Sequence, residues 1–196
     1  MKNFITLIIL TILPFFVGVN FPANEAPPKS FGTIYPGHLD GPFTGGFGEQ
    51  TCHSCHFDYD INYERGSLTV DGIPNRYKPG KKYNIKIHLQ SEHLEIGGFQ
   101  MTSRFVDGSQ AGEFEWEGDR LMYTPQISDE VKYLQHTLKG TTPDSDWEIC
   151  WEFTWNAPGE PRDSVVFNIA ANAGNYDDSA FGDWIYVQEL TSVYSK

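Results

Sequence analysis

The sequence is poor in cysteine, in positive charge and in long apolar runs, and each shortage narrows what the chain does. Three cysteines are present, so they cannot all pair; Cys52 and Cys55 are neighbours and Cys150 is far from both. A bridge closing so small a loop as Cys52–Cys55 reads as catalytic rather than as a structural staple. Fourteen basic residues face 26 acidic ones, for a formal charge of −12. Such a surface repels phosphate backbones, which excludes nucleic acid as a partner and suits steering of a basic redox protein. No G-x-S-x-G, H-E-x-x-H or phosphate-loop pattern occurs, so the common hydrolase, zinc-protease and nucleotide signatures are missing.

The one apolar run, Phe4 to Val19, is short for a membrane span and is interrupted by Pro14. With Lys2 before it, residues 1–19 read as an export signal or an N-terminal anchor. No cysteine follows this run closely, so a bacterial lipoprotein anchor is not expected. The expected location is periplasmic, cell-surface or extracellular.

What the sequence has in abundance is turn formers and aromatics: 19 Gly, 12 Pro and 15% Phe, Trp and Tyr. Residues 20–47 form a Pro/Gly-rich leader whose Phe31, Tyr35, Phe43 and Phe47 are too apolar for a free linker. Residues 48–65 hold the cysteine motif, and 66–193 read as one domain with alternating apolar residues. In KKYNIKIHL, Tyr83, Ile85, Ile87 and Leu89 share a face. In GFQMTSRF, Phe99, Met101, Ser103 and Phe105 alternate with Gln100, Thr102 and Arg104. WEICWEFTW places Trp147, Ile149, Trp151, Phe153 and Trp155 together. With turn signals between such stretches, the pattern predicts an all-β, antiparallel Ig-like β-sandwich of about seven to eight strands. SDEVKYLQHTL (128–138) reads as a short helix or a further strand.

GEQTCHSCHFDYD, residues 48–60, carries the chemistry. Cys-x-x-Cys-His is the spacing of c-type haem attachment. Two thiols add across the haem vinyl groups, and the adjacent imidazole binds iron as the proximal ligand. Zinc requires a second ligand pair, and His88 and His93 are too far along the chain to supply it. A thioredoxin-type disulfide wants a strand followed by a helix in an α/β fold, whereas this motif follows Gly-rich coil. The expectation is therefore one haem c, held by Cys52, Cys55 and His56, with His53 a surface residue within the motif.

TGGFGEQTCHSCH is followed by GSLTVDGIPNRYKPGKKYNIKIHL, then GGFQMTSRF, YLQHT, WEFTWNAPG, VVFNIAANAGN and GDWIY. In this order the blocks resemble bacterial choice-of-anchor V proteins, whose domain is similar to the reelin N-terminal (Reeler) β-sandwich. The resemblance spans residues 44–188. It implies a secreted or surface-associated Reeler-like sandwich with an N-terminal haem-binding extension. Family members often carry a C-terminal anchoring segment; this chain stops at ELTSVYSK, which puts C-terminal anchoring in doubt.

The distal iron ligand is expected to be His136, in the YLQHT block, with Met101 as the alternative. Met101 reads equally as core filler beside Phe99 and Phe105. Met122, His38, His88 and His93 are weaker candidates. The aromatics Phe47, Phe57, Tyr59 and Tyr63 either cover a haem face or pack as ordinary core. Two acidic loops, NYDDSAFGD and TPDSDWE, are candidate Ca²⁺ cages but lack EF-hand spacing. Cys150 is read as covered or as a free thiol. The leading functional expectation is single-electron transfer to a redox partner, hence not an enzyme. The alternatives are a structural or adhesion module with structural or absent haem, and a peroxidase-like haem enzyme.

Overall fold

A computed structural model describes residues 41–125, 130–160 and 162–195. The proposed signal or anchor, most of the leader and His38 lie outside the described residues. Strands β1 (Gly66–Asp71), β2 (Arg76–Tyr77), β3 (Lys82–Ser91), β4 (Ile96–Phe105) and β5 (Glu113–Glu115) are followed by β6 (Leu121–Tyr123), β7 (Leu134–His136), β8 (Glu148–Asn156), β9 (Val165–Gly174) and β10 (Trp184–Tyr194). They form a four-stranded sheet in the order β1-β3-β8-β5 and a six-stranded sheet in the order β2-β10-β9-β4-β7-β6. The expected all-β sandwich is present, with ten strands among the described residues rather than seven or eight. The extra ones are two or three residues long, too short for alternation to betray them. Pairing is antiparallel except for β2, which runs parallel to β10.

The core lies between the sheets, where β3 contributes Ile85, Ile87 and Leu89, β8 contributes Trp151, Phe153 and Trp155, and β4 and β9 add Phe99, Met101, Phe167 and Ile169. Trp147 departs from its expected place in this row. It precedes β8 in the Ser145–Glu148 turn with φ 66° and is 49% exposed. Residues 128–138 contain no described α-helix; their regular element is β7, paired with β4 and β6.

β4 shows where alternation is insufficient. Gln100, Thr102 and Arg104 are buried although they point away from the core. The end of the leader crosses part of that outer face, and Lys132 and Tyr133 cover Thr102 and Arg104. Phe43 N–H donates to Gln100 Oε1 at 2.6 Å, and Gln100 Nε2 donates to the Gly41 carbonyl. Gly46 packs so closely on Asn168 of β9 that a Cβ there would lie 2.1 Å from its Oδ1. Further along, Arg104 Nη1 meets Glu49 Oε1 at 2.7 Å, both side chains almost fully buried, and Tyr133 donates its hydroxyl to the same oxygen at 2.6 Å. The Arg104 guanidinium also lies over the Phe47 ring, 4.2 Å from its centroid. Glu49 stands three residues before Cys52, so this buried charge pair ties the start of the motif to the sheet.

Candidate functional site

Thr51 opens the motif as an N-cap, its Oγ1 accepting from His53 N–H at 3.2 Å. A 3-10 turn, Cys52–Ser54, follows, and the N–H groups of both Cys55 and His56 donate to the Cys52 carbonyl at 3.2 and 3.0 Å. Cys52, Cys55 and His56 thus lie on a single turn, with Cys52 half-buried and Cys55 exposed. All three cysteines are free. His53 is turned the other way, its Nε2 3.0 Å from the Tyr59 carbonyl.

Burial pushes the Cys52 thiol up to about 12. A dithiol redox centre needs the opposite, a nucleophilic thiol with a lowered pKa. In protein made without haem, iodoacetamide at pH 8 should therefore alkylate exposed Cys55 at least about tenfold faster than Cys52. Peptide mass spectrometry over a time course checks this; equal rates would remove the difference in environment.

His56 is oriented by a residue far along the chain. Its Nδ1 donates to Asp183 Oδ2 at 2.6 Å. Asp183 is buried and is held in turn by Asn172 Nδ2 at 3.2 Å and by Asn175 N–H on its other oxygen at 3.2 Å. A carboxylate on Nδ1 sets the tautomer and leaves Nε2 with its lone pair, the usual arrangement behind a metal-bound imidazole.

Asn172 leads from His56 to His136. It sits opposite Gly98 in the β4–β9 register. Gly98 lies against the His136 ring: a Cβ there would fall 2.6 Å from its Cε1. The ring thus occupies space that any larger residue at 98 would take. His136 Nδ1 is 2.9 Å from Phe99 N and 3.0 Å from the Phe99 carbonyl. Because the Phe99 N–H donates to Nδ1, the neutral ring carries its proton on Nε2, and metal binding through Nε2 requires the switch to the tautomer that donates to the carbonyl. Burial holds His136 below the usual histidine pKa, which keeps the imidazole neutral. The row His136, Gly98, Asn172, His56 therefore crosses the outer face of the six-stranded sheet, beyond the part covered by the leader. Within it, Asn172 Oδ1 is buried without a hydrogen-bond partner.

Met101 lies fully buried in the inter-sheet core, on the opposite side of β4 from Gly98 and Gln100. Met122 is in β6, and His93 is exposed in the β3–β4 turn. His88 faces away from the core of the four-stranded sheet, opposite Cys150. A cleft of about 430 Å³ on that sheet is lined by Lys86, Arg120 and Cys150 among others, and by no residue of the motif. Among the described residues, no three His, Cys, Asp or Glu side chains gather as a metal cage, the two acidic loops included. Of the aromatics near the motif, Tyr59 and Tyr63 pack on Trp184, and Phe57 meets Phe181 edge-on with centroids 5.8 Å apart.

Sequence reading missed Asp183, Asn172 and Gly98 as partners of the two histidines. All three nonetheless fall in the quoted blocks GDWIY, VVFNIAANAGN and GGFQMTSRF.

No family model and no curated protein matches the sequence. Among solved structures, the chain is similar to the Reelin-N domain of F-spondin (TM-score 0.48, 17% identity, 70% of this chain and 91% of that one). It is similar to a human F-spondin reeler domain (TM-score 0.44, 18% identity, 68% and 92%). It is also similar to a cohesin module from a Clostridium perfringens family 33 glycoside hydrolase (TM-score 0.44, 12% identity, 66% and 96%). The likeness concerns sandwich architecture alone. No helix among the described residues is long and apolar enough to cross a membrane.

Proposed function

We propose that the chain is an exported, haem-c-binding β-sandwich module that passes single electrons to a redox partner. Cys52 and Cys55 are its thioether residues, His56 the proximal ligand and His136 the distal one. The observation that carries this reading is the Asp183 carboxylate on His56 Nδ1, 2.6 Å away, behind two thiols on the same helical turn. A covalently bound haem supplies a one-electron iron couple. The chain's own residues do the positioning. Asp183 fixes the orientation of the His56 ring, while Asn172 and the Asn175 N–H hold Asp183. The Phe99 backbone holds His136, and Gly98 makes room for its ring. Two histidine ligands favour a lower potential than His/Met and leave no open site for peroxidase chemistry. Met101, buried on the far side of β4, is not part of this reading.

The test is production of the full chain with a cytochrome c maturation system, followed by haem staining and a pyridine haemochrome spectrum. The expected result is one covalent haem per chain, lost in Cys52→Ala/Cys55→Ala. No haem in the parent protein would favour the second reading, an extracellular structural or adhesion module with structural or absent haem. That reading draws support from the exposed rings near the motif.

A further inference from the structure

One end of the sandwich gathers four loops: residues 57–64, 91–96, 142–148 and 174–183. Hydrogen bonds tie them into one surface. Glu92 N–H donates to the Arg65 carbonyl, Ser91 N–H to Trp147, Glu95 N–H to Gly174 and Gly182 N–H to Asp58 Oδ2.

Three ring residues on this end hold backbone conformations that favour glycine. His93 has φ 63°, Trp147 φ 66° and Tyr176 φ 58°. His93 and Trp147 each stand third in a tight turn, closed by Leu94 N–H to Ser91 O and by Glu148 N–H to Ser145 O. Glycine adopts this conformation freely, whereas a bulky ring does so at a cost. The rings do not offset that cost by burial. Trp147, which meets His93 edge-on with centroids 5.7 Å apart, is 49% exposed, Tyr176 69%, and Phe57 and Phe181, which meet each other, 57% and 56%. Strain kept at exposed aromatic positions points to recognition.

The charge around these rings has one sign. None of the four loops contains Lys or Arg, while Asp58, Asp60, Asp146, Asp177 and Asp178 stand among them. Two arginines that reach these loops are engaged within them, Arg65 with Glu92 and Arg120 with Asp144. Anionic lipid and nucleic acid are repelled by such a surface. A lysine- or arginine-bearing protein face meets both features at once: its cations pair with the carboxylates, and its side-chain stems and guanidinium planes lie on the rings.

We infer that this end of the sandwich is a docking surface for a basic protein, whose cationic side chains lie on Trp147, Tyr176 and Phe181 within a rim of carboxylates. The surface borders His56 through Asp183, so in the proposed function it is where the redox partner approaches. The docking itself does not require haem.

The experiment titrates the isotope-labelled full chain, with and without haem, with a lysine-ringed basic c-type cytochrome at two ionic strengths. Chemical shifts are expected to move in the four loops, with no response to the same cytochrome after lysine acetylation. Asp146→Asn/Asp177→Asn/Asp178→Asn should weaken binding about tenfold at low salt and flatten its salt dependence. Trp147→Ser/Tyr176→Ser should weaken it by a similar factor with the salt dependence unchanged. Glu113→Gln/Glu152→Gln, on the exposed face of the four-stranded sheet, should leave it unchanged. Three outcomes would overturn the proposal: shifts scattered over the whole acidic surface, equal weakening by the control pair, or no binding at low salt. Shifts at the rings with a neutral oligosaccharide and none with the cytochrome would make it a sugar site instead. Because the readout is binding, a chain that takes up no haem still tests the surface.

Discussion

Arg104→Met is expected to destabilise the protein by about 3–5 kcal/mol, because it strands a buried carboxylate. Glu49 and Arg104 face one another at 2.7 Å with side chains 10% and 5% exposed, so water cannot replace the lost partner. Tyr133 and Thr44 both donate to Glu49, but neutral hydroxyls do not compensate its charge. Glu49→Gln leaves the Arg104 guanidinium in the same position and should cost a similar amount. The double variant should lose much less than the sum of the two, since neither charge is then alone. Urea unfolding of the four proteins measures this cycle; additive losses would show that the pair is not a unit.

The same cluster predicts an alkaline limb. Burial, and then the Glu49 carboxylate, raise the Tyr133 hydroxyl above its ordinary value of 10. The folded state therefore holds this proton more tightly than the unfolded chain. Its contribution is complete below pH 10 and declines as the pH rises beyond it. Tyr133→Phe should flatten that decline while losing the hydrogen bond to Glu49.

His136→Ala is expected to convert a low-spin, six-coordinate haem spectrum almost completely to a high-spin one, with added imidazole restoring the low-spin form. Removing the ring leaves the Phe99 N–H and carbonyl without their partner, at a cost of about 1–3 kcal/mol, and circular dichroism of the variant checks that the fold survives. Gly98→Val gives an independent approach. A Cβ at 98 would stand 2.6 Å from Cε1 of the His136 ring, so the ring must move although the ligand type is unchanged. A spectrum indifferent to both substitutions would remove His136 from the distal position.

These two expectations rest on different kinds of information. The ring of His136 and its row to His56 depend on the register Gly98 to Asn172, which joins residues 74 positions apart. Nothing local to YLQHT encodes that. The Glu49–Arg104 pair likewise joins residues 55 positions apart, and in sequence Arg104 reads as one more solvent-facing residue of an alternating strand.

The sequence by itself determined the sandwich, because alternation in Tyr83–Leu89 and Ile149–Trp155 leaves one face of each strand apolar, and two such faces must meet. It also set Cys52, Cys55 and His56 at the spacing of a haem-attachment motif on a single turn. Only the tertiary structure decided that Trp147 leaves the core row for an exposed turn. Only it decided that the leader helps to bury the polar side of β4, and that Asp183, 127 residues away, stands behind His56. These are contacts between elements, and their partners are set by sheet order and register rather than by any local pattern.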